Sequence, residues 1–169
     1  MAEQAARERL QPSLLDRLTD HAPTSGRETF DNQTLSMPQL RQAVLRDIGW
    51  LLNTTSLGTT EDLSAYPLAS RSTVNYGAPG FTGTTGAPDR LNALEARLVA
   101  ALRAFEPRIR PETLSIRLRR GGGDAATPTL RFDIAGELWA HPVPQQLFLE
   151  TAVELETRTA AVTDARARR

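Results

Sequence analysis

The chain contains no cysteine in its 169 residues and only two histidines, His21 and His141. Without thiols there are no disulfides, no thiolate metal sites and no thiol nucleophile. Such a chain fits a reducing compartment. The two histidines are far apart, one in a polar connection and one just before Pro142. Neither has the neighbouring ligands that a metal site needs. An excess of one charge is missing as well: Lys+Arg and Asp+Glu both number 20. Nucleic-acid binders usually carry a basic surplus, so no nucleic-acid partner is expected. Long apolar runs are also lacking. Those around residues 48–52 and 98–102 are far too short to span a bilayer. The first ten residues, MAEQAARERL, are charged and have no apolar core of a secretory signal. These absences predict a cytoplasmic protein with no membrane insertion.

What is present is ordinary globular material, 40% hydrophobic and 24% charged, in a length suited to one domain with a real core. Residues 1–11 read as a flexible N-terminus. Ser13 is placed to cap a short helix, with Asp16 at its third position and Leu14, Leu15 and Leu18 on its apolar side. A stronger helix follows in MPQLRQAVLRDIGWLLNTT. Pro38 suits its first turn, and Leu40, Val44, Leu45, Ile48, Leu51 and Leu52 recur at three and four. Trp50 falls off that stripe. Residues 56–89 are rich in turn formers, with a short extended piece expected near Val74. Asp89 is then expected to cap a second long helix, with Leu91, Leu94, Leu98, Leu102 and Phe105 on one face.

Past Pro111 the period changes to two. Leu114, Ile116 and Leu118 alternate with polar residues. So do Leu130, Phe132 and Ile134, and then Leu147, Leu149, Thr151, Val153 and Leu155. The expected fold class is α+β: a three-stranded antiparallel β-meander packed against two long helices in a single domain. That domain covers residues 12–157, and residues 158–169 read as a basic, frayed tail.

Catalytic constellations are hard to assemble from these residues. Glycoside hydrolysis needs a pair of carboxylates at fixed separation. Glu106, Asp133, Glu137, Glu150 and Glu154 are available, but Asp133, Glu150 and Glu154 occupy the polar register of strands. No GxSxG elbow occurs. Gly121, Gly122 and Gly123 lead into a strand and lack the following Lys-Ser/Thr of a phosphate loop. The row Arg117, Arg119 and Arg131 reads equally as a solvated face or a receptor for an acidic partner.

The most unusual stretch is FEPRI, residues 105–109. Pro107 forces Glu106 out of the helical region and so ends the helix at Phe105. Glu106 and Arg108 lie two apart across that proline and project to one side. They read either as a helix stop with a local ion pair or as a rigid handle for a partner.

Six segments, taken in order, carry a resemblance: SLLDRL, LRDIGWLLNTT, TVNYGAP, FEPRI, LRFDIAGEL and LFLETAVELET. The chain resembles the TssE family of type VI secretion baseplate wedge subunits, related to tailed-phage baseplate wedge proteins once labelled lysozymes. The resemblance covers most of residues 12–157. It implies a non-enzymatic, cytoplasmic structural subunit of a contractile injection machine, with no catalytic residues, cofactor or metal. It implies partners among the other wedge subunits and the contractile sheath subunits, whose assembly it helps to template. Glu106, Pro107 and Arg108 then correspond to the family's signature contact. An open sheet edge suits strand addition by another chain. The alternatives are a peptidoglycan glycosidase using Glu106, or a regulatory protein-binding module of similar fold.

Overall fold

A computed structural model describes residues 12–19, 24, 35–81, 88–119, 129–139, 144–155, 157 and 159–165. Helix α1 (Leu14–Leu18) starts at Ser13, whose hydroxyl accepts the Asp16 N–H at 3.3 Å. Its apolar side does not join the core: Leu14, Leu15 and Leu18 are 70%, 47% and 74% exposed. Helix α2 (Met37–Asn53) has Pro38 in its first turn, where the missing N–H costs no helical bond. The backbone N–H of Ser36 donates to Gln39 Oε1 at 2.9 Å and fixes that end. The predicted stripe is buried at Leu40, Val44, Ile48, Leu51 and Leu52.

Between the long helices, helix α3 (Pro67–Ser70) is flanked by 3₁₀ turns at Leu57–Thr59 and Thr73–Asn75. Val74 therefore sits in a helical turn and not in the expected extended piece. Local polar bonds decide this. The Ser72 hydroxyl accepts the Val74 N–H, and the Asn75 side chain accepts from the Gly58 N–H and donates to the Ser70 carbonyl, both at 2.8 Å. Helix α4 (Pro88–Phe105) begins two residues earlier than expected, so Asp89 lies in the first turn and is not the cap. A carboxylate there still favours the helix dipole. Leu94, Leu98 and Leu102 are buried, and the helix stops at Phe105.

The sheet has four strands, β1 (Ser115–Arg119), β2 (Thr129–Leu138), β3 (Gln145–Glu154) and β4 (Thr159–Asp164), all antiparallel in that order. The α+β class holds, with one strand more than the sequence pattern predicts. β4 lies in the stretch read as a frayed tail. Its small residues carry little alternation of their own, but pairing Val153 with Ala160 and Thr151 with Val162 draws it onto β3. One sheet face supplies Leu130, Phe132, Ile134, Leu147, Leu149 and Val153 to a core shared with α2 and α4. Phe81 stacks on Phe132 with ring centroids 6.3 Å apart. Each such side chain contributes about 1.5–3 kcal/mol on burial.

Both sheet edges are touched by a helix side chain. On β4 the Asn53 side chain of α2 acts as a substitute strand. It accepts the Ala160 N–H at 2.8 Å and donates to the Ala160 carbonyl at 2.9 Å. Arg41 of α2 is bonded to Asp164 at the far end of the same strand. On β1 the Leu118 N–H donates to Glu95 of α4 at 2.6 Å. These bonds tie helix orientation to sheet orientation, because edge amides otherwise need another partner.

Gly77 has a φ of 134°, and a Cβ there would lie 2.5 Å from the Thr54 carbonyl oxygen. That carbonyl accepts the Ala78 N–H at 2.7 Å, clipping the turn to the end of α2. Gly49, within α2, has open space around its Cβ position. Gly77→Ala is therefore expected to cost about 1–3 kcal/mol. Gly49→Ala should add up to about 1 kcal/mol through helix propensity. Urea denaturation of the two variants checks both signs.

Candidate functional site: the Glu-Pro-Arg corner

Helix α4 closes with the Glu106 N–H donating to the Leu102 carbonyl at 2.8 Å. Pro107 then turns the chain, and the Ile109 N–H donates back to the Glu106 carbonyl at 3.2 Å. Within this turn the Glu106 side chain folds inward and is 3% exposed. Its two oxygens are both taken by Arg108. The Arg108 Nε donates to Oε1 at 2.6 Å and Nη2 to Oε2 at 2.5 Å. The Arg108 backbone N–H adds a bond to Oε1 at 3.2 Å. Such a two-pronged, charge-assisted pair fixes geometry as well as adding energy.

The Arg108 fork also reaches α2, where Nη2 donates to Asp47 Oδ2 at 2.6 Å. The other Asp47 oxygen accepts from Arg46 Nε at 2.9 Å. Arg46 in turn donates to Asp16 of α1 at 2.6 Å, and its guanidinium lies 4.8 Å from the Trp50 ring centroid. Trp50, off the apolar stripe, thus stacks on a cation. The chain of charges alternates from Glu106 to Arg108, Asp47, Arg46 and Asp16, each arginine lying between two carboxylates.

The electrostatic effects follow. Burial alone would lower the Arg108 pKa, but the hydrogen bonds and charges of Glu106 and Asp47 outweigh it and push it further up. Burial opposes ionisation of Asp16, yet Arg46 and Ser13 hold its pKa below the usual aspartate value. Tyr76 is raised by burial first, then by the negative charges of Asp47 and Glu106. Tyr76 also meets Phe105 edge to face, with centroids 5.3 Å apart. The TVNYGAP segment therefore abuts FEPRI.

The next residues join the sheet. The Trp139 N–H donates to the Arg108 carbonyl at 2.7 Å, and the Arg110 N–H to the Glu137 carbonyl at 2.9 Å. Ile109 is buried opposite Leu138. A Cβ on Gly136 would meet the Ile109 side chain at 2.8 Å, so the glycine lets the segment close on β2. Five of the six resembling segments thus touch one corner: Asp16 and Asp47 from the first two, Tyr76, FEPRI itself, and Gly136 in LRFDIAGEL.

Of the three predicted site residues, Pro107 is exposed, Arg108 is half-buried and Glu106 is buried. The acid and base turn toward each other and toward α2. Sequence reasoning missed Asp47 and Arg46. The one hint was an adjacent charged pair just before Ile48 on a helix whose apolar face is otherwise continuous. Of the other candidate carboxylates, Glu137 lies beside the corner and pairs with Arg110 at 3.4 Å. Asp133 and Glu150 pair with Arg119 on the opposite sheet face at 2.9 and 3.0 Å. His21, His141 and the Gly121–Gly123 loop lie outside the described residues. Among the described residues no group of three or more His, Asp or Glu side chains is placed to hold a metal ion.

The family profile of baseplate wedge protein gp25 matches residues 38–143, more than half of the chain. The chain belongs to this family. The match takes in α2, α4, the corner and the first two strands, and membership supports a structural baseplate component. No curated protein and no solved structure matches the chain. Among the described residues no helix is long and apolar enough to cross a membrane.

Removing Arg108 leaves the buried Glu106 carboxylate without its counter-charge. Arg108→Ala is expected to cost about 3–5 kcal/mol, read as a lower midpoint in urea unfolding. Arg119→Ala, which removes exposed pairs with Asp133 and Glu150, should by contrast leave the urea midpoint nearly unchanged.

Proposed function

We propose that this chain is a structural subunit of a type VI secretion baseplate. It binds the other wedge subunits through the Glu106-Pro107-Arg108 turn and helps template assembly of the contractile sheath. The observation that supports this most is membership in the gp25 family combined with the convergence of its quoted segments on one corner. The turn is stiff, because proline fixes one dihedral and the Arg108 fork holds the rest. A pre-formed turn loses little entropy when a partner grips it. Binding through the turn in this reading uses the exposed Pro107 and the outer side of Arg108, while Glu106 shapes the turn from within.

A cytoplasmic location accompanies this reading, as does a role without catalysis. The glycosidase alternative needs chemistry from Glu106, whose two oxygens are occupied by Arg108. A four-stranded sheet with two edge strands also offers main-chain groups to a neighbouring sheath strand.

The structure selects the variant that tests the turn. Glu106→Ala disturbs the interior, whereas Pro107→Glu changes an exposed position. Pro107→Glu protein should unfold at nearly the wild-type urea midpoint, yet fail to co-purify with co-expressed wedge subunits and fail to support sheath assembly. Normal co-purification and normal sheaths with this variant would remove the turn from the interface.

A further inference from the structure

Helix α1 has little to hold it. It has only five residues, and its leucines face away from the core. Isolated helices of this length are unstable in water. Among the described residues, the Asp16–Arg46 pair is the one ion pair or hydrogen bond that ties α1 to another element. The placement of Arg46 therefore decides where α1 rests. Two features fix Arg46: the Trp50 ring beneath it and Asp47 Oδ1 beside it.

Asp47 is shared. One oxygen serves Arg46 and the other serves Arg108. The carboxylate is planar, so its two oxygens cannot reorient independently. A displacement of the Arg108 fork pulls or releases Asp47 Oδ2, and Oδ1 moves with it. We propose that Asp47 couples the Glu-Pro-Arg turn to the N-terminal helix, so that displacing Arg108 loosens α1. Coupling of this kind is reciprocal: whatever immobilises α1 also steadies the turn. Asp47 is a positioning residue, because it acts on the turn through Arg108. The inference concerns internal linkage and stands whichever molecule binds the turn.

The experiment follows the backbone amides of Leu14, Leu15, Asp16, Arg17 and Leu18 in the full-length protein by NMR. Four proteins are compared: wild type, Arg108→Gln, Asp47→Asn and the double variant. Arg108→Lys serves as a milder fifth, since it keeps the positive charge opposite Glu106 but lacks the fork. Arg108→Gln and Arg108→Lys should shift the α1 cross-peaks and speed their hydrogen exchange by about fivefold or more. Asp47→Asn should do the same alone, and adding Arg108→Gln to it should produce no further change at α1. Unmoved α1 cross-peaks in a folded Arg108→Lys or Arg108→Gln protein would overturn the coupling. So would equal displacements by Arg108→Gln with and without Asp47→Asn, which would mean a route that bypasses Asp47.

Discussion

The corner depends on a single ionic constraint, the buried Glu106 carboxylate that must keep its guanidinium. Taking a carboxylate out of water costs several kcal/mol unless its partners are in place. Here the partner comes from two residues along the same chain, across a proline that restricts the turn. Once the Arg108 fork is set, its remaining reach selects Asp47 and so positions α2 against the end of α4. Backbone bonds to Glu137 and from Trp139 then lay the following residues along β2. Helix stop, interhelical contact and sheet extension thus meet at one turn.

This arrangement reconciles two readings of the same three residues. A helix stop with a local ion pair and a handle for a partner are not exclusive. The ion pair faces inward and the proline lies on the outer side, so the pair that stops the helix also shapes the turn that the proposed contact would use. The same economy holds at the sheet edges, where Asn53 and Glu95 satisfy edge amides while anchoring α2 and α4. Each of those side chains sits on a helix whose opposite duty is apolar packing.

Much of the fold could be read directly because its signals are local. The three- and four-residue spacing of α2, the stop at Pro107 and the alternation in β1 to β3 all lie within short windows. β4 was not readable in the same way. Ala160 and Val162 offer a weak pattern, and the strand is created by β3 and by Asn53, which is 107 residues from Ala160. The 3₁₀ turn at Val74 was hidden by a valine whose β preference gives way to the bonds of Ser72 and Asn75. At the site, Glu106 and Arg108 stood out because they flank a proline. Asp47 did not, since its partner Arg108 is 61 residues away. The inward turn of Glu106 was equally invisible, because burial follows from how α2 and α4 pack and not from the local pattern.

The claim at the centre of this account is that Arg108 and Asp47 stabilise each other across the two helices. A double-mutant cycle tests it most directly: urea unfolding of wild type, Asp47→Ala, Arg108→Ala and the double variant. The account predicts a coupling of about 1 kcal/mol or more, with the double variant losing clearly less than the two single losses together. Strict additivity in folded proteins would mean that the two side chains sit near each other without supporting each other, and the corner would then need another organising contact.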